Sequence, residues 1–230
     1  MVALIIGGST DIGISLAKYL TSKDYQVIVT YHNHKIDLDN ITTMPCDVTN
    51  EKDIDNLISN IIKKYDRIDV VFNLAAISMD NLVIDKTKEE FMKVLEVNLA
   101  GTFLVNKVYS KYITDGLIVN ISSTDGIDTY SKYNIDYSVS KSGVITLSKI
   151  IAMSTPNKVL CLAPNWINSE TTRSMDKTYL TKELTRIGQT RLIEINELTE
   201  AIYKLITSSF NSGDTYRIDI RRNKLWTGKI

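Results

Sequence analysis

Residues 117 to 141 read LIVNISSTDGIDTYSKYNIDYSVSK: an apolar strand-like run that closes on Ser123, a loop, then Tyr137 and Lys141 four positions apart. On a helix that spacing places two side chains on one face. An ammonium beside a phenol stabilises the phenolate, which makes the pair a candidate for proton transfer. Free tyrosine titrates near ~10, so useful phenolate at neutral pH requires a shift of about 2 to 3 units, or roughly 3 to 4 kcal/mol. A unit charge at ~4 Å supplies about 4 kcal/mol at an effective dielectric of 20 and only ~1 kcal/mol in bulk water. The pair therefore works only inside a pocket.

The Tyr-x-x-x-Lys spacing occurs three times in the chain. Tyr19 and Lys23 belong to a stretch whose apolar positions Ile12, Leu16 and Leu20 describe a surface helix, which predicts a solvated pair. Tyr31 and Lys35 fall at the end of a strand, where a four-residue spacing brings nothing together. Only Tyr137 and Lys141 follow a strand-terminal serine and open a helix rich in small residues: Ser138, Ser140, Ser142 and Gly143.

Positioning those groups requires a scaffold, and strand and helix signals alternate from the first residue. The pattern predicts strands at 2–6, 25–30, 43–46, 68–73, 116–122, 157–162 and 215–219, with helices at 12–22, 51–64, 88–112, 138–152 and 196–207. Runs such as VALII, DVVF and LIVNI are continuously apolar, as buried parallel strands are. Seven strands with a glycine loop after the first make an α/β, doubly wound Rossmann-type sheet with helices on both faces, in a single domain. The segment HNHKIDLDNITT has weak helical periodicity, so the helix between the second and third strands is expected to be missing or reduced to a turn.

Composition narrows the function. The 230 residues are 43% hydrophobic and 23% charged, enough for one α/β domain with a sizeable core. Lysine plus arginine balance aspartate plus glutamate at 27 each, so no global field favours nucleic acid or an anionic membrane. Met1 leads directly into a strand and no apolar run approaches ~18 residues, which predicts a soluble cytoplasmic protein. Cys46 and Cys161, isolated in apolar contexts, are expected to be buried free thiols. His32 and His34, the only histidines, share a polar turn without supporting ligands, so no metal site and no Ser-His-Asp hydrolase is expected.

At Ser123, Tyr137 and Lys141 the chain resembles the short-chain dehydrogenase/reductase family, and the similarity runs nearly end to end. After the first strand comes GGSTDIG, in which Gly7 and Gly13 match the outer glycines of the family's TGxxxGxG pattern, while Ile6 replaces threonine and Asp11 the middle glycine. A turn of this kind offers backbone N–H groups and the positive end of a helix dipole to a pyrophosphate. The resemblance implies that Gly7, Ser9, Thr10, Asp11 and Ile12 line that site. Asp11 is expected either to cap the helix or to turn its carboxylate away. CDVT at 46–49 implies Asp47 and Val48 at the adenine ring. NLAA, similar to the family's NNAG, implies Asn73, Ala75 and Ala76 along the cofactor's ribose side. NAD enzymes usually carry an acid at the end of the second strand. Here Tyr31 stands there, followed by His32, Asn33, His34 and Lys35, so NADP(H) is favoured over NAD(H), although Thr10 is not the basic residue many NADP members carry.

The same resemblance implies roles. Tyr137 exchanges a proton with the substrate oxygen as hydride moves to or from the nicotinamide, and Lys141 depresses the Tyr137 pKa and bonds the ribose. Ser123 orients the oxygen, Asn98 in VNLAG holds a proton-relay water, and Ser122 is structural. APNWINSETTR is similar to the PGxxxT segment around the nicotinamide carboxamide, which implies Pro164, Ile167 and Ser169 there, with Asn165 in place of glycine tolerating positive φ. Residues 169–188 are the expected substrate lid.

In size and in the stretch IGQTRLIEINELTEAI the chain is similar to bacterial 3-oxoacyl-acyl-carrier-protein reductases, which implies a small-molecule or acyl-thioester substrate. Arg173 matches one basic position that faces the acidic carrier, whereas Thr114 replaces the other; Lys107, Lys111, Arg221 and Arg222 could form a different basic surface. The helices at 88–112 and 138–152 resemble those that pair subunits, so a homodimer is expected, or a homotetramer if the altered C-terminal residues Ile218 to Arg221 permit it. A competing reading is a non-catalytic dinucleotide sensor, motivated by Asp11, Ala76, Asn165 and Ile220. Intact Asn98, Ser123, Tyr137 and Lys141 argue against it. A methyltransferase on the same sheet would not need those residues at these spacings.

Overall fold

A computed structural model describes residues 1–230. In chain order the elements are β1 Val2–Ile6, α1 Asp11–Thr21, β2 Gln26–Tyr31, β3 Thr42–Pro45, α2 Glu51–Tyr65, β4 Val70–Asn73, α3 Lys88–Leu95, α4 Thr102–Tyr112, β5 Leu117–Ile121, α5 Ile135–Ser154, β6 Lys158–Pro164, α6 Glu170–Arg173, α7 Lys177–Ile187, α8 Ile195–Thr207, β7 Asp214–Arg221 and β8 Lys224–Lys229. The strands form one sheet in the order β3-β2-β1-β4-β5-β6-β7-β8. All pairings are parallel except β7 with β8. The order reverses beside β1, which opens a crevice between the C-terminal ends of β1 and β4.

Both faces of the sheet are buried because its side chains alternate between two cores. Ala3 and Ile5 face one with Leu16 and Leu20 of α1 and Ile202 of α8. Leu4 and Ile6 face the other with Ile54 and Ile58 of α2 and Val105 and Tyr109 of α4. Cys46 and Cys161 are buried and unpaired. No helix is long and apolar enough to cross a membrane.

Three departures from the sequence reading have local causes. First, the sheet has an eighth strand. Arg222 and Asn223 adopt φ of 49° and 59°, the left-handed pair that a tight hairpin turn requires. KLWTGK then folds back against β7, and the Arg221 guanidinium stacks 3.3 Å from the Trp226 ring centroid. A six-residue strand whose apolar residues are the adjacent Leu225 and Trp226 shows no alternating apolar pattern. Second, the single helix predicted over 88–112 is broken by a π-helical turn, Glu96–Gly101. Gly101 lies there against Val48, where a Cβ would come 2.9 Å from Val48 Cγ2. Third, the segment 169–188, expected as a lid, is helical, as α6 and α7. Residues 32–41 form no helix, as expected from HNHKIDLDNITT.

Candidate active site

A cavity of about 370 Å³ opens where β1, β4, β5 and β6 end. It gathers ten of the residues singled out from sequence: Thr10, Asp11, Ile12, Ala76, Ser123, Tyr137, Lys141, Pro164, Ile167 and Ser169. Tyr137 lies on the first turn of α5 and Lys141 on the next, with Nζ 5.4 Å from the Tyr137 ring centroid. Lys141 Nζ donates to the Ile121 carbonyl at 2.9 Å, and Ser122 Oγ donates to the Lys141 carbonyl at 2.7 Å, so the end of β5 and the start of α5 are joined twice. Burial lowers the Lys141 pKa to about 8. The Tyr137 phenol moves the opposite way: burial raises its pKa, the Asp125 carboxylate adds to the rise, and the Ser123 hydroxyl opposes it. The depressed phenol expected from the ammonium alone is therefore not found, because desolvation and a nearby carboxylate outweigh it.

The glycine turn is set by close approach of backbone to backbone. Gly7 has φ of 71°, and a Cβ there would come 2.5 Å from Ala75 Cα. Ser9 follows, half-buried. Thr10 caps α1, its hydroxyl accepting from Gly13 N at 3.3 Å. Of the two alternatives foreseen for Asp11, the structure shows the second: Thr10 holds the cap, and the Asp11 carboxylate turns outward, Oδ2 accepting from Glu170 N at 2.6 Å and Arg173 Nη2 at 3.2 Å while Oδ1 accepts from Ile12 N at 2.9 Å. Arg173 pairs with Asp11 and donates to the Asn168 carbonyl, while half of its side chain stays exposed. Lys107 and Lys111 are likewise paired, with Glu51 and Asp55.

Beyond the end of β2 lies a second cavity bordered by His32, Cys46 and Asp47. Burial would raise the Asp47 pKa, but the Thr49 amide and hydroxyl, both bonded to Oδ1, and His32 hold it below the usual value. His32 Nε2 is 3.6 Å from Asp47 Oδ2. The Tyr31 carbonyl accepts from Cys46 N, Asn33 is exposed, and Lys35 pairs with Asp37 at 3.0 Å. Val48 packs under Gly101.

Three assignments need correction. Asn73 does not face the cavity: its amide donates to Asn106 Oδ1 and Asn120 Oδ1 in the interior, and Asn120 continues the chain to Ser148. Asn98 is fully buried in the π-helical turn, where Oδ1 accepts from Ile77 N and Nδ2 donates to Ile77 O and Ser140 Oγ. Both of its polar groups fix the loop after β4. Asn165 does not adopt positive φ; its amide donates to Asp219 and its oxygen accepts from Thr124 Oγ1 and Trp166 N. The cavity also recruits Met175 and Tyr179 from the segment expected as a lid, and residues that were not foreseen, among them Asp125, Asn134 and Trp166. Asp125 alone had a signal, its position two residues beyond Ser123. The other Tyr-x-x-x-Lys pairs lie outside this cavity, and Tyr19 packs edge-on against Tyr203.

These features fit a dinucleotide: a turn closed by glycine at a helix start, apolar walls from Ile12, Pro164 and Ile167, and a lysine at the base. A family model described as enoyl-(acyl carrier protein) reductase matches residues 7–220. Carbonyl reductase family member 4 of Xenopus laevis is 31% identical over 95% of this chain and 96% of its own. A 3-oxoacyl-[acyl-carrier-protein] reductase of Synechocystis sp. is 28% identical over 95% of each chain. The solved structure of Thermoplasma acidophilum aldohexose dehydrogenase matches with a TM-score of 0.84 and 26% identity, over 94% of this chain and 91% of that one. The chain belongs to the short-chain dehydrogenase/reductase family and is an oxidoreductase of carbonyl and alcohol groups that uses a nicotinamide cofactor.

Proposed function

We propose that this protein is an NADP(H)-dependent reductase in which Tyr137 gives the proton, Ser123 aligns the carbonyl oxygen and Lys141 holds the nicotinamide ribose. The meeting of these three side chains in one cavity carries the reading. The bound cofactor supplies hydride. Everything else is done by the chain. Burial keeps the phenol protonated, which suits a donor, and Lys141 with a pKa of about 8 is largely cationic at pH 7. Asn98 acts as a positioning residue by holding Ile77. The preference for the 2′-phosphate is supported by Tyr31 in the place of an acid and by His32 beside it. Helices α6 and α7 serve as the lid over the substrate.

The relatives span carbonyl, 3-oxoacyl-thioester and aldohexose substrates, which are the classes to compare. The pairing of Arg173 with Asp11 weighs against carrier docking at that residue. Exposed Phe103, Val139, Ile150 and Met153 on α4 and α5 support a homodimer through those helices, with a homotetramer requiring a further surface. NADPH oxidation measured with β-ketoacyl thioesters, ketones, aldehydes and sugars tests the activity. Absence of turnover across the whole panel with both NADPH and NADH would overturn it.

A further inference from the structure

We infer that Asp125 is a specificity-determining residue whose carboxylate accepts a hydrogen bond from a hydroxyl on the carbon next to the reacting one, so that the substrate is a neutral, hydroxylated carbonyl compound. This rests on the reductase reading above and names the substrate class of the same site.

Asp125 lies two residues beyond Ser123, borders the cavity and is only 6% exposed. Its own N–H donates to Ser123 Oγ at 3.1 Å, which fixes its backbone beside the group that aligns the substrate oxygen. Its carboxylate is also near enough to the Tyr137 phenol to act on it electrostatically. Ser123, Asp125 and Tyr137 border the same cavity, so a substituent next to the reacting carbon can meet this carboxylate.

The carboxylate is held but not neutralised. Oδ1 accepts from Thr129 Oγ1 at 2.8 Å and Oδ2 from Asn134 Nδ2 at 2.9 Å. A carboxylate offers about four acceptor sites, so about two remain open. Both donors are neutral, and none of the ion pairs of the molecule includes Asp125. Burial raises the Asp125 pKa, the bonds from Thr129 and Asn134 oppose that rise, and Arg186, whose charge also opposes it, donates instead to the Thr129 carbonyl and to Glu183. A nearly buried carboxylate without a counter-ion is costly, and a hydrogen-bond donor brought by the ligand offsets that cost.

The remaining charges sort the candidates. Lys141 is the one cation bordering the cavity, and it is bonded to Ile121 O. Asp80 adds a second carboxylate on the substrate side. An oxo acid or a phosphorylated sugar would bring its charge against two acids with no free cation to receive it. A neutral hydroxyl meets an acceptor.

The test compares matched pairs in steady-state reduction: hydroxyacetone with butanone, and glycolaldehyde with propanal, with aminoacetone and pyruvate as charged arms. The hydroxylated member should be favoured in kcat/KM by about 10- to 100-fold, the worth of one hydrogen bond to a charged group. The difference should lie mainly in KM, and pyruvate should be the poorest of the set. Asp125→Val should bring each ratio close to one. Should that variant fail to fold, Asp125→Asn, which keeps the shape and removes the charge, should still lower each ratio. Equal efficiencies within each pair, or a preference that survives in Asp125→Val, would overturn the assignment while leaving the reductase reading intact. A clear advantage for aminoacetone over hydroxyacetone would also overturn it, by assigning the carboxylate to an ammonium. If neither these compounds nor the wider panel were reduced, both readings would fall together.

Discussion

Lys86 Nζ lies 2.8 Å from Asp136 Oδ2, with side chains only 4% and 0% exposed, and so joins the loop after β4 to the residue that precedes Tyr137. Asp136 Oδ1 accepts from the Tyr137 amide at 2.9 Å, and Lys86 Nζ also donates to the Met79 carbonyl. The start of α5 is thereby fixed from the substrate side of the cavity, opposite the tie that Lys141 makes to β5. Removing one partner of a sealed pair strands the other, at a cost of about 3 to 5 kcal/mol. Lys86→Met should lower stability by that amount in urea unfolding. Lys86→Met with Asp136→Asn should recover about half of the loss or more, since no buried charge is then left alone. Additive losses in the double variant would show that the two residues do not act as a pair.

Tyr137→Phe should reduce kcat by about 100- to 10,000-fold, the range for loss of a general acid. NADPH affinity should stay almost unchanged, because the hydroxyl acts in the transition state. Lys141→Ala should weaken cofactor binding as well as turnover. Tyr19→Phe, on a ring packed against Tyr203, is the control for an unrelated Tyr-x-x-x-Lys pair. Near-normal turnover by Tyr137→Phe would remove the basis of the mechanism.

Burial lowers the Lys141 pKa to about 8 from 10.5, so between those values the unfolded chain holds a proton that the folded chain has released. Stability rises with pH wherever the unfolded state binds more protons. The stability difference between wild type and Lys141→Met should therefore move in favour of wild type as pH goes from 8 to 10.5, by up to about 3 kcal/mol. Below pH 8 that difference should be flat. Unfolding curves at pH 7.5, 9 and 10.5 measure it, and a difference that does not change across this window would mean that the ammonium is not desolvated.

His32→Asp combined with Lys35→Ala should shift preference toward NADH. The new carboxylate would stand beside Asp47, which His32 now approaches at 3.6 Å, and would repel a 2′-phosphate. A rise of about tenfold in Kd for NADPH, or about 1.4 kcal/mol, is the expected size. Fluorescence titration with both cofactors decides. An unchanged ratio would place the phosphate elsewhere.

Much of the scaffold could be read because β1 and β5 are continuous apolar runs and α1 and α2 are amphipathic, and these signals are local. The reaction residues were legible for a related reason: Ser123 comes just after an apolar strand, and Tyr137 and Lys141 share one helix face. What escaped was set by contacts distant in sequence. Nothing near Asn73 reveals that its amide meets Asn106 and Asn120 rather than the cavity. The π-helical turn at Asn98 preserves apolar spacing on either side, so periodicity passes over it. The rise of the Tyr137 pKa comes first from burial and then from the Asp125 carboxylate, and sequence spacing carries neither.

The hairpin that adds β8 also fixes which surfaces are open to a second copy. The outward N–H and C=O groups of β7 are already paired, from Tyr216 with Lys229 to Arg221 with Lys224. A continuous sheet across two copies therefore cannot be joined at β7. The boundary has moved one strand outward, to a short strand with Lys224 and Lys229 at its ends, and lysines on an edge oppose further strand addition. On this side of the molecule, six residues of polar hairpin stand between the sheet and any growth by strand pairing.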